Sequence, residues 1–181
     1  MIPHGLTAQL LGELPQGDLL PADTRQEVID AVVANVRRLC GWHVFPIATE
    51  SVVIPYRGDD YILAPTMHLV EVISAECQGY TIPASDMDAY PHGEITLHHR
   101  TAGAPWRIPK PLVLTMKHGF DLEDVPSLLG VIVQMIARAG DTTATGDASL
   151  SVGSVSYTLS SGITPKSSEW LVIDAYRLRQ L

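Results

Sequence analysis

Between Pro126 and Gly140 the chain carries a helix-forming stretch that is apolar almost all the way round. Leu128, Leu129, Val131, Ile132, Val133, Met135, Ile136 and Ala139 cover more than half of the helical circumference, leaving Ser127, Gln134 and Arg138 as a narrow polar edge. Pro126 suits a first helical turn, where its missing N–H would have had no partner, so the spacing predicts a helix over about 126–139. Such a helix needs cover on two sides. One chain of 181 residues offers little with which to supply both, which makes Leu129, Ile132, Val133 and Ile136 candidates for an interface between subunits.

Two further helices fit the pattern. From residue 24 to 40, Val28, Ile29, Val32, Val33, Val36, Leu39 and Cys40 share one arc of about 140° while Glu27, Asp30, Arg37 and Arg38 lie opposite. Asp23 with Gln26, or Thr24 with Glu27, are candidate N-terminal caps, and Gly41 follows the end. A last helix over about 165–180 is expected to open with Thr164 as N-cap and Pro165 in its first turn. Trp170, Leu171, Leu178 and Leu181 form one apolar stripe on it, yet Val172, Ile173 and Tyr176 make the other side apolar too.

Between the first two helices, residues 43–120 lose the 3.6 period. β-branched and aromatic runs alternate with Pro and Gly breaks, as in an inserted all-β region. Its clearest strand is 112–117, with Leu112, Leu114 and Met116 on one face; others are expected at 51–54, 61–64, 69–77 and 94–99, with turns at 57–59 and 78–79. Residues 140–160 read as a flexible arm leading into a strand in which Val155, Tyr157 and Leu159 alternate with small polar residues. The fold class expected is therefore α+β: one domain over 1–181, with a small core of three main helices, a β insertion, and a C-terminal arm plus helix.

With 46% hydrophobic and 18% charged residues, the composition is that of a chain able to build a core. The N-terminal segment lacks the basic start and apolar run of a signal peptide, and no stretch approaches ~18 apolar residues, so the expectation is a soluble protein made in the cytoplasm. A formal charge of −8 disfavours a grip on nucleic acid, which rests on cations neutralising phosphates. Cys40 and Cys77 lie outside any CxxC spacing and read as buried small hydrophobes.

Motifs that carry chemistry are missing. The seven histidines include no HxH, HExxH or HxxxH spacing, and His98 and His99 would point to opposite faces of a strand, so no metal is assigned and the histidines read as surface or strand-end residues. Gly153-Ser154 lacks the following glycine of a nucleophile elbow, and no phosphate-binding loop occurs. Acids such as Asp60, Asp86, Asp88 and Glu123 fall in predicted turns or at a helix start, where solvation and capping account for them. The reading is no enzyme, no catalytic residues and no cofactor. Trp42 is expected to fold onto the core after a Gly41 cap.

The order of parts resembles the head-to-tail adaptor family of long-tailed phages, in particular its longer members with a β-rich insertion, over about residues 24–181. Three stretches carry the resemblance: the helix exit running into Gly41-Trp42-His43-Val44-Phe45-Pro46; Val113 to Phe120 leading to Val125-Pro126 and the apolar helix ending Ala137-Arg138-Ala139; and Ser151-Val152-Gly153-Ser154-Val155-Ser156-Tyr157 ahead of a helix with Tyr176-Arg177. Ser151 stands where that family often has an acid.

The resemblance implies a virion protein of the neck. It would form a ring of twelve subunits that docks on the portal protein, meets a head-closure (stopper) or tail-completion protein, and leaves a lumen through which genomic DNA passes without specific binding. Within that picture the terminal helix is the expected portal contact, through Trp170, Tyr176, Arg177 and Leu181, because Trp, Tyr and Arg most often dominate binding energy. Val155 and Tyr157 on the arm join the candidate subunit interface. Two other readings differ in class: a small hydrolase whose dispersed His and Asp residues converge only in the fold, and another tail or capsid-decoration protein.

Overall fold

The computed structural model describes residues 2–56, 60–98, 110–145, 149–152, 155–158 and 164–178, with the backbone alone for those in 140–158. Helices and antiparallel strands are both present, so the fold is α+β as expected. The chain divides into two compact units, one built mainly from residues 3–41 and 122–177 and the other from 42–121.

The helical unit contains α1 (Ala8–Gly12), α2 (Gln26–Cys40), α3 (Pro126–Thr145) and α4 (Ser167–Ala175). On α2 the inward stripe Ile29, Val32, Val33, Val36 and Cys40 is 0–1% exposed. Gly41 closes this helix in the left-handed region at φ 82°, its N–H bonding Arg37 O at 2.9 Å. The expected caps do not form: α2 starts after Arg25, and neither Asp23 nor Thr24 caps it. Thr24 Oγ1 instead donates to Pro21 O at 2.6 Å, and Gln26 Nε2 donates to Leu6 O at 3.0 Å and Asp30 Oδ1 at 2.7 Å, so those side chains are engaged elsewhere.

The apolar helix α3 runs to Thr145, beyond the expected stop near residue 139 and through part of the expected arm. Leu128, Leu129, Val131, Ile132, Val133, Met135, Ile136 and Ala139 are all 0–6% exposed. Cover on both sides thus comes from the same chain. On one side lie α2 and α4; on another lies the N-terminal segment, whose short 3-10 turn Gly17–Leu19 packs on α3. Gln16 reaches across Gly130, where a Cβ would come within 2.9 Å of its Oε1, and accepts from Gln134 Nε2 at 3.2 Å. Leu6 and Leu11 from this segment are buried at 1% and 0%. The premise that neighbouring subunits must cover Leu129, Ile132, Val133 and Ile136 is corrected: these residues form the chain's own core.

The β unit holds a four-stranded antiparallel sheet in the order β1 (Ala48–Tyr56), β7 (Lys110–His118), β3 (Leu69–Cys77), β4 (Tyr80–Pro83), and a three-stranded sheet in the order β2 (Tyr61–Leu63), β6 (Glu94–Leu97), β5 (Met87–Ala89). Inward residues of both sheets, among them Val72, Leu112, Leu114, Met116, Met87, Ile95 and Leu97, form one apolar cluster. Alternation along β1 and β7 follows from the period of two: one face goes in, the other stays wet. Gln78 and Gly79, at φ 56° and 76°, make the two-residue turn between β3 and β4, both in the left-handed region that such hairpins require. Strand β3 is bulged twice, and Val70 and Ile73 at the bulges are 45% and 44% exposed.

In the C-terminal arm, β8 (Ser149–Val152) and β9 (Val155–Thr158) pair antiparallel as a two-stranded ribbon, with Leu150 opposite Tyr157 and Val152 opposite Val155. The sequence reading had one strand here; Leu159 lies outside the described residues. No helix among the described residues is long and apolar enough to cross a membrane.

Candidate functional site

Two places in the molecule combine unusual side-chain chemistry with a definite geometry. The first is α4. Its N-cap is Lys166 rather than the expected Thr164, because Glu169 turns back to accept the Lys166 N–H at 2.7 Å. The same carboxylate takes a bidentate ion pair from Arg138 of α3, Nη1 to Oε1 at 2.5 Å and Nη2 to Oε2 at 2.8 Å, and Glu169 is only 2% exposed. Burial by itself would raise the Glu169 pKa, but the Arg138 bonds and the Lys166 N–H outweigh it and hold the carboxyl below its ordinary value. Ile173 is fully buried, and its carbonyl receives the Cys40 thiol at 3.9 Å; burial drives the Cys40 pKa up to about 12, so this cysteine is an inert packing residue.

One face of α4 is therefore fastened to α2 and α3. Its outer face carries Leu171, which at 78% is the most exposed large hydrophobic residue described. Among the expected contact residues, Trp170 and Tyr176 are half-buried, and Arg177 is exposed with its guanidinium 3.9 Å from Asp174. Leu181 lies outside the described residues, as do the side chains of Val155 and Tyr157. In the sequence Leu171 is one member of an apolar stripe, and with apolar residues on both sides of the helix nothing there tells which side is covered.

The second place is the corner of the β unit that follows Gly41. Val44, fully buried, sits at φ 61°, a region that β-branched residues rarely enter, inside a tight turn closed by Phe45 N–H to His43 O at 2.7 Å. The turn is clamped by Phe120 N–H to Val44 O at 2.8 Å. Gly119, at φ 113°, is obligatory there, since a Cβ would come within 2.6 Å of Pro46 O and 2.7 Å of His43 Nε2. This fold brings together three residues far apart in sequence: His43 of the turn, Glu50 of β1 and His118 at the end of β7.

The two imidazoles meet edge to face with centroids 4.3 Å apart, and His118 Nε2 is 3.4 Å from Glu50 Oε2. His43 Nε2 bonds Pro46 O at 3.0 Å. Trp42 stacks on His118 at 6.2 Å and meets His43 and Phe120 edge-on. Burial, reinforced by His43 and only partly opposed by Glu50, lowers the His118 pKa to about 4, so the ring is neutral at ordinary pH. A shifted histidine beside a carboxylate is the arrangement a hydrolase would need, but at 1% exposure and under the Trp42 ring, His118 has no face open to a substrate. What the three groups can do is hold something: their donor atoms all lie within 4.8 Å of one another and could take a metal ion.

The sequence suggests surface or strand-end histidines; His118 does end β7, but both it and His43 are buried. A signal was present. Glu50 lies on the Val52, Ile54 face of β1, and His118 continues the Leu112, Leu114, Met116 face of β7, so both fall in register with apolar neighbours.

Against known proteins, no family model matches the chain and no curated protein matches it. Its fold, however, has counterparts among solved structures. One is a chain in the neck of an empty gene transfer agent (GTA) particle computed with C6 symmetry, with a TM-score of 0.56 and 12% identity, covering 100% of this chain and 97% of that one. A chain in the neck of a native GTA particle computed with C12 symmetry gives a TM-score of 0.50 at the same identity and coverage. At 12% identity the likeness is one of fold.

Proposed function

We propose that this chain is a non-enzymatic structural adaptor in the neck of a phage-type particle. In this reading it assembles as a ring of twelve, docks on the portal protein, receives a head-closure or tail-completion protein, and leaves a lumen for the genome. The observation that carries the reading is the correspondence of fold over the whole chain with a chain in the neck of GTA particles solved with six- and twelvefold symmetry. The net charge of −8 supports a lumen that repels rather than grips DNA.

Docking on the portal falls to α4 and the residues that follow it, with Leu171 joining Trp170, Tyr176, Arg177 and Leu181. Half-buried aromatic rings beside an exposed leucine and arginine give the mixed apolar and directed polar contacts of an energetic hot spot. Contacts between ring neighbours fall to the β8–β9 ribbon with Val155 and Tyr157, while Leu129, Ile132, Val133 and Ile136 act only by shaping the subunit that presents it.

The test is genetic. Deleting the gene for this chain from its particle is expected to leave DNA-filled heads and separate tails that do not join; complete tailed particles from the deletion strain would refute the reading.

A further inference from the structure

We infer that His43, Glu50 and His118 form a zinc site that clasps the corner of the β unit. Three independent features of the geometry point there. First, the donor set is right: two imidazoles and one carboxylate, with all donor atoms within 4.8 Å, are the ligand types that zinc takes in three-ligand sites with a fourth position for water. A tetrahedral ion with bonds of 2.0–2.1 Å needs donors ~3.3 Å apart, and the His118 to Glu50 edge already stands at 3.4 Å.

Second, the rings are arranged as ligands. His43 Nε2 bonds the Pro46 carbonyl at 3.0 Å and so carries the hydrogen, which leaves the lone pair on Nδ1; metal-bound histidines are oriented by this kind of bond from the far nitrogen to a backbone carbonyl. His118 is 1% exposed, its Nδ1 has no hydrogen-bond partner among the described residues, and its Nε2 has only the loose approach of Glu50. A buried imidazole so poorly satisfied is unusual, and an ion would take the lone pair of its Nε2.

Third, there is a way in. The Glu50 side chain is 40% exposed, so an ion can reach the carboxylate from solvent and the carboxylate can swing to complete the set. Bound there, the ion would link the strained turn at Val44 to the paired ends of β1 and β7, where Ala48 lies opposite His118. Its role is to fasten.

The experiment uses the full chain, purified without a histidine tag, dialysed against chelator and then titrated with zinc alone. We expect one zinc per chain by elemental analysis after gel filtration, a raised Tm on addition of zinc, and visible absorption bands of a tetrahedral centre when cobalt replaces it. Glu50→Gln keeps shape and fold and should weaken binding at least about 100-fold, more than the loss expected for disturbing an outer-shell partner; His43→Asn should do the same. Exposed His–carboxylate pairs at His4–Asp30, His92–Glu94 and His98–Asp88 are the competing sites. Substoichiometric zinc in the wild type, undiminished binding by both variants, or loss of binding on mutating His92 and His98 instead would each overturn the site.

Discussion

Helices α3 and α4 make the same demand in sequence and meet different fates. Both are apolar on two sides. The chain buries α3 completely, its eight large and small apolar residues being 0–6% exposed, whereas α4 is fastened through Ile173 and Glu169 and keeps Leu171 at 78% exposure. The difference lies in what else the chain can bring. α3 sits between α2, α4 and the N-terminal segment, so every side has a neighbour. α4 packs on α2 and α3, and on its outer side Leu171 stays exposed. A two-sided apolar helix is thus a core element where the chain supplies cover and an exposed surface where it does not.

The contrast breaks most sharply under a charge. Ile132→Asp should unfold the helical unit, since a carboxylate desolvated without a partner costs more than ~4 kcal/mol, a large part of a domain's stability. Loss of the cooperative thermal transition in circular dichroism would report it. Leu171→Asp should leave that transition in place.

Next in size is the pair that fastens α4. Arg138→Ala strands the buried Glu169 carboxylate and should cost about 2–4 kcal/mol, read by urea denaturation. The sign of its pH dependence follows from the lowered Glu169 pKa. The ion pair contributes fully above the ordinary glutamate range near ~4.3 and is lost as pH falls through the lower folded value, so wild-type stability should drop on acidification. In Arg138→Ala that acid-side dependence should shrink; an unchanged profile would mean Glu169 is not the titrating anchor.

Gly119→Ala comes third. A Cβ there meets Pro46 O in a backbone conformation that disfavours side chains, for an expected loss of about 1–3 kcal/mol in the same denaturation measurement. The smallest effect belongs to Leu171→Ala, which should change stability by less than ~0.5 kcal/mol because the side chain is solvated. A larger loss would show that α4 is covered on both sides, like α3.

Much of this was legible in the chain. The three main helices, the Gly41 stop, the Gln78–Gly79 turn and the long strands at 69–77 and 112–117 each have a local cause, a period or a conformational need, that one sequence displays. Hidden were the features that depend on contacts distant in sequence. Residues 3–20 show no strong period, yet Leu6, Leu11 and Gln16 supply the cover for α3. Arg138 looked like a solvated edge because its partner Glu169 lies on another helix. Strand order and the short strands β4 and β5 come from pairing rather than propensity. His43, Glu50 and His118 form no motif, since only the tight turn at Val44 and the β1–β7 register bring them together. The outer face of α4 remained ambiguous because periodicity reports that a helix has two apolar sides and not which one its own chain covers.

The proposed role as a ring subunit of a neck can be tested directly. The most direct measurement is electron microscopy of purified particles in which this chain carries a small labelled tag, averaged at the junction of head and tail. The account predicts label as a twelvefold ring between portal and tail; label spread over the capsid shell or along the tail tube would contradict it.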